Sequence, residues 1–193
     1  MPTRALVARP CPDGGFKGRY VHSDGNPDFM VPVLIAARRS RFADDHDALA
    51  EHLLSHEAGW ESLGEDLIQP TGDLAAMFHG LGDGTCFCHD FDGADAQPLI
   101  TEADIADRAD IEWVYVLRPD GLEVIDPHRD PDDPRGPLIP WDHDLQMPIP
   151  EWLLRRWRPT TPAPPRRPPP TRAGAKPATA TRADVITRKP PSR

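Results

Sequence analysis

Apolar residues along this chain come in short clusters separated by turn-forming residues, the signature of brief strands and helices. Ala5-Leu6-Val7-Ala8 predicts a first strand, and a turn-rich stretch from Pro10 to Gly18 separates it from a second, Arg19-Tyr20-Val21-His22. Ser23-Asp24-Gly25-Asn26-Pro27 ends that strand, because Asp-Gly and Asn-Pro both favour turns. The run from Phe29 to Ala37 is nearly all apolar and too short to classify by period. Proline suits a first helical turn and disrupts a central strand, so Pro32 predicts a helix from there to Phe42. Arg38, Arg39 and Arg41 then lie near its C-terminus, where positive charge suits the dipole.

The next segment is the clearest helix. Asp44 or Asp45 caps it, Leu49, Leu53 and Leu54 form an apolar stripe, and Gly59 stops it before Trp60. Asp73 to Phe78 predicts a further short helix, and Thr101 caps another that runs to about Arg108. Glu112 to Leu117 and Leu122 to Ile125 predict a hairpin across the turn Arg118-Pro119-Asp120-Gly121. The first of these strands is apolar on both faces, which implies a buried, central position. Pro150 to Trp157 predicts a last short helix. Strands and helices that do not alternate regularly predict an α+β fold: a small, mostly antiparallel sheet packed by two or three helices.

Charge divides the chain. The last 36 residues, from Arg158, hold nine Lys/Arg against one acidic residue, Asp184, a net of +8. The total is −9, which leaves −17 for residues 1–157. Ten of those 36 residues are proline and only Val185 and Ile186 are large and aliphatic, so this segment predicts a disordered basic tail. Residues 1–157 form the expected globular domain. Its acidity excludes a direct grip on phosphate backbones and suits a protein partner with basic character; the tail offers nucleic acid only non-specific attraction. Pro164 to Pro170 also fits a polyproline II ligand, although a plain linker suits the composition better. No segment approaches the length of a membrane span, and three cysteines make no disulfide framework. A reduced, cytoplasmic setting is expected. Arginine outnumbers lysine 19 to 3, which points to a GC-rich genome, actinobacterial or of a phage of one.

Candidate chemistry concentrates at Cys86-Phe87-Cys88-His89-Asp90-Phe91-Asp92, the densest group of metal-ligating types. Read as a strand, this segment puts Cys86, Cys88 and Asp90 on one face, where a bridge between the cysteines is unfavourable. A second ligand pair comes from His52 and His56, one helical turn apart, giving a Cys2His2 zinc set of Cys86, Cys88, His52 and His56. The plainer reading, buried cysteines on a strand and solvated histidines on a helix, is the one expected. His22 and Asp24 at a strand end are the candidates for base and orienter, against a simple turn. Asp90-Phe91-Asp92-Gly93 resembles the Asp-x-Asp-Gly element of haloacid dehalogenase-like phosphotransferases. The downstream lysine and acidic pair of that family have no match here, as Lys17 is the sole lysine before the tail and lies upstream. Asp126 to Pro137 is acidic but proline-broken and lacks EF-hand spacing.

Gly18-Arg19-Tyr20-Val21-His22-Ser23-Asp24-Gly25-Asn26-Pro27, Gly59-Trp60 and Trp113-Val114-Tyr115-Val116 resemble a family of uncharacterised actinobacterial and phage proteins. Their pattern is Tyr-[Val/Cys]-His-[Trp/Ser]-Asp-Gly-Tyr-Pro, and the resemblance spans about residues 15–126. Asn26 stands where that family commonly has an aromatic residue. The resemblance implies no activity, cofactor or site residue. With no complete catalytic set in view, the expected function is a non-enzymatic accessory or protein-interaction domain. The alternative is a small metal-dependent, hydrolase-like enzyme using His22, Asp24 and the Cys86–Asp92 segment.

Overall fold

The computed structural model describes residues 2–12, 14–68, 73–92, 94–128 and 136–147, all within the unit Met1–Pro162. The expected helix at 150–157, the boundary at 157 and the tail lie outside the described residues, as does most of the 126–137 loop. The strands are β1 (Ala5–Pro10), β2 (Phe16–Val21), β3 (Trp60–Ser62), β4 (Thr85–Cys86), β5 (Ile100–Thr101), β6 (Trp113–Arg118), β7 (Gly121–Ile125) and β8 (Leu138–Pro140). The helices are α1 (Pro27–Arg39), α2 (His46–Ser55) and the short α3 (Asp73–Met77).

The sheet is larger and more mixed than expected. Eight strands run in the order β4-β3-β2-β1-β6-β7-β8, with β5 paired to β2. β1 is parallel to β6 and β2 to β3, and the remaining pairs are antiparallel. The hairpin of β6 and β7 is the expected one, with Arg118 opposite Gly121 across the turn. What local pattern could not supply is β1 lying parallel beside β6, a pairing between segments more than a hundred residues apart.

That pairing explains why β1 is buried on both faces. Ala5 and Val7 pack with Tyr115 and Leu117 beneath the helices, while Leu6 and Ala8 join Phe16, Val114, Val116 and Ile125 on the opposite face. The second face is covered by Ile111 and by Ile105, which lies in a 3-10 turn over Asp104–Asp107. The short helix expected to end at about Arg108 is present as this single 3-10 turn, with Arg108 as its C-cap. The Thr101 amide and hydroxyl donate to the Asp104 carboxylate at 2.8 and 2.7 Å, which ties the turn to β5.

α1 begins five residues earlier than Pro32. The Asn26 side chain accepts from the Phe29 amide and Pro27 takes the first helical position, both stronger start signals than an interior proline. Pro32 is carried inside the helix. Met30, Val31, Val33, Leu34, Ile35, Ala36 and Ala37 of α1 are fully buried, as are Leu49 and Leu53 of α2. α2 starts where its acidic cap predicts, with Asp45 accepting from the Asp47 and Ala48 amides. No helix among the described residues is long and apolar enough to cross a membrane.

Candidate metal centre

The site forms where α2 ends. A helix leaves its last carbonyls without intrahelical donors, and here Arg19 of β2 supplies a donor to one of them, that of Leu54, while bridging to the segments beyond the helix. Its guanidinium donates to the carbonyls of Leu54 at 3.1 Å, Glu57 at 2.9 Å and Gln97. Arg19 is only 9% exposed, so its charge is matched to a helix C-terminus in a nearly dry setting. The chain then reverses at Gly59, whose φ of +84° favours glycine, and an added Cβ would lie 2.9 Å from the Tyr20 carbonyl oxygen. This reversal sets Trp60 in β3, directly opposite Cys86 of β4.

Two features then place His56. The Trp60 indole donates to the Leu53 carbonyl at 3.0 Å, and its ring lies 4.0 Å from the His56 ring, centroid to centroid. Across the β3–β4 pair, the Phe87 amide donates to the Gly59 carbonyl at 3.1 Å. The segment after Cys86 does not continue as a strand. The Asp90 amide donates to the Cys86 carbonyl at 3.0 Å while the Asp90 carboxylate accepts from the Cys86 amide at 2.6 Å. Phe87, Cys88 and His89 are therefore wound into one turn, and both cysteines point to the same side.

The outcome is four donors in one cluster. His56, Cys86, Cys88 and His89 present ligand atoms that all lie within 4.8 Å of one another. Cys86 Sγ is 3.0 Å from His89 Nδ1 and 3.3 Å from Cys88 Sγ. Cys88 Sγ is 3.5 Å from His56 Nδ1 and 3.6 Å from His89 Nδ1. A tetrahedral zinc with ordinary bond lengths requires edges of about 3.8 Å between sulfurs and about 3.6 Å between sulfur and nitrogen. The four edges given fall short of these by no more than about 0.6 Å.

The electrostatics suit a soft dication. Burial, followed by the neighbouring His52 and His89, pushes the His56 imidazole down to about 4, so it presents a free lone pair at neutral pH. Burial, followed by its hydrogen bond with Cys88, pushes the Cys86 thiol up to about 11. A thiolate at that position therefore needs a cation beside it, and a bound dication reverses the local preference.

The donor set differs from the candidate set at a single position: His89 takes the place of His52. His52 is indeed one turn from His56, but its ring packs between Phe42 at 5.5 Å and Trp60 at 6.0 Å. It meets His56 edge to face at 5.2 Å and contributes no donor to the cluster. Burial and then Arg41 lower its pKa, in keeping with a neutral ring in a packed layer. His89 belonged to the right segment, and the signal that marks it is the Cys-x-Cys-His run itself once read as a turn.

His22 and Asp24 do not join the cluster. His22 Nδ1 lies 3.1 Å from the Tyr20 hydroxyl, and Asp24 sits at φ +59° in the turn that leads to the Asn26 cap. The Tyr115 hydroxyl fastens that turn by donating to the Gly25 carbonyl at 2.8 Å. Asp90 follows a turn instead of an apolar strand, so the phosphotransferase-like element lacks its setting. An open cleft of about 600 Å³ lies between Arg38, Arg39, Asp120 and Trp141. Its arginines are engaged, Arg38 with Asp44 and Arg39 with the Trp141 and His143 carbonyls. No family model matches the chain, and no curated protein or solved structure matches it significantly.

Proposed function

We propose that this chain is a non-enzymatic accessory domain stapled by one structural zinc ion. The observation that carries the reading is the convergence of four nitrogen and sulfur donors from two segments, His56 on one side and Cys86, Cys88 and His89 on the other. A complete set of four protein ligands is the habit of structural zinc; catalytic sites keep a position open for water or substrate. The metal would hold the end of α2 against the turn after β4, joining two parts of the chain that otherwise meet through the short β3–β4 pair. The rival reading, a hydrolase-like enzyme using His22, Asp24 and the Cys86–Asp92 segment, is disfavoured because neither His22 nor Asp24 contributes a donor to the cluster that Cys86, Cys88 and His89 form. The charge of −17 over residues 1–157 favours a basic protein partner over a polyanion.

Metal analysis of the full chain, purified without chelators, tests the reading. About one zinc per chain is expected, falling to background in the Cys86→Ser variant and persisting in His52→Ala. A wild-type chain with less than about 0.2 zinc that takes up none on addition refutes it.

A further inference from the structure

We propose that the Cys86–Cys88 pair is a peroxide-sensitive release for the metal, a regulation that rests on the zinc reading above. Three features support it. The sulfurs are 3.3 Å apart, in contact before any oxidation. The residues share a turn closed by the Asp90-to-Cys86 bond, which folds the chain back instead of extending it between them. An extended strand would hold them too far apart, so the turn is what makes the pair oxidisable. Finally, Cys88 is partly exposed and His89 exposed, while Cys86 is 3% exposed. An oxidant therefore reaches one sulfur first and finds the second directly behind it.

The chemistry balances with hydrogen peroxide as the oxidant. The Cys88 thiolate attacks one peroxide oxygen, the O–O bond breaks, and the hydroxide released takes a proton to become water. The Cys88 sulfenic acid so formed is attacked by the Cys86 thiolate. Its S–O bond breaks as the S–S bond forms, and the second hydroxide leaves as water after taking another proton. Two thiolates have lost two electrons in total, and one peroxide has become two waters. The zinc keeps only His56 and His89 and dissociates. The third thiol, Cys11, follows β1 at the β1–β2 turn and takes no part.

The test uses the zinc-loaded full chain carrying Cys11→Ser, treated with a few equivalents of peroxide at neutral pH. Zinc release is followed with a chromogenic chelator, and the product by intact mass and peptide mapping. Release of about one zinc with a mass loss of about 2 Da, a bridge mapped to Cys86 and Cys88, and recovery on adding dithiothreitol with zinc support the proposal. Zinc that stays bound overturns it, as does release with a gain of about 32 Da and no bridge, the mark of a sulfinic acid. A bridge between two chains also overturns it. A chain with no zinc before peroxide is added overturns the zinc reading itself, and this is seen at the loading step, before the redox step begins.

Discussion

Removing the metal should cost the fold a definable amount. A zinc ion held by His56 and the Cys86 turn, as proposed, would close a loop of about 30 residues, and treating it as a cross-link gives a chain-entropy contribution of about 3.6 kcal/mol. For a domain of this size that corresponds to a fall in Tm of about 10 °C on chelation. The His56→Ala variant loses the same link but also the ring packed at 4.0 Å on Trp60, so its absolute Tm mixes two effects. The informative quantity is each protein's own shift on adding chelator. Wild type and His52→Ala should both shift by about 10 °C, although His52→Ala starts lower for want of its contacts with Phe42 and Trp60. His56→Ala should not shift. Scanning calorimetry with and without chelator, alongside zinc analysis of the same samples, measures this. If zinc leaves the wild type and Tm moves by less than about 2 °C, the metal is not a staple. If His52→Ala abolishes the shift and His56→Ala keeps it, the ligand assignment is wrong.

Three further outcomes follow from the same geometry. Gly59→Ala should destabilise by about 1–3 kcal/mol in chemical denaturation, because φ is +84° and the new methyl meets the Tyr20 carbonyl; a change within error would show that the reversal relaxes freely. Arg19→Met should cost about 3 kcal/mol, since it strands the carbonyls of Leu54, Glu57 and Gln97, and should weaken zinc binding through His56; equal stability would mean that water replaces the guanidinium fully. The Arg108 guanidinium, hydrogen-bonded to Asp110 at 2.8 and 2.9 Å, holds the Asp110 carboxyl below its ordinary range. A lowered folded-state pKa adds stability that is present above the unfolded value of about 3.9 and lost as pH falls through the folded one. Asp110→Asn should therefore be less stable than wild type at neutral pH, with the gap closing only in acid. A gap that stays constant down to about pH 2 would contradict the pairing.

Local pattern was enough for the elements whose signals are contiguous. The acidic cap and leucine stripe of α2, the Pro-Asp-Gly-containing turn of the β6–β7 hairpin and the turn from Ser23 to Pro27 are written in neighbouring residues, because caps and turns are satisfied within a few positions of the chain. The start of α1 was legible too, in Asn26 and Pro27, but the more conspicuous Pro32 outweighed them. The parallel seam of β1 with β6 was not legible. Both strands are apolar on two faces, which tells that they are buried but not against which neighbour.

The metal cluster divides in the same way. Cys86, Cys88 and the His52/His56 pair were visible as residue types, although zinc sites more often space their cysteines two to four residues apart; α2 ends at Ser55, so His52 lies within the helix and His56 is its C-cap. The choice between those histidines was made elsewhere, by the reversal at Gly59 and the pairing of Trp60 with Cys86, which bring the Cys86 turn to the end of α2 and leave His52 a turn away among aromatic rings. His89 entered only because Asp90 bonds back to Cys86 and winds the segment into a turn. Sequence alone marked the residue types and the segments that could offer metal donors. Which four converge depended on contacts spanning about 30 residues, where strand pairing and packing decide and local propensity has no reach.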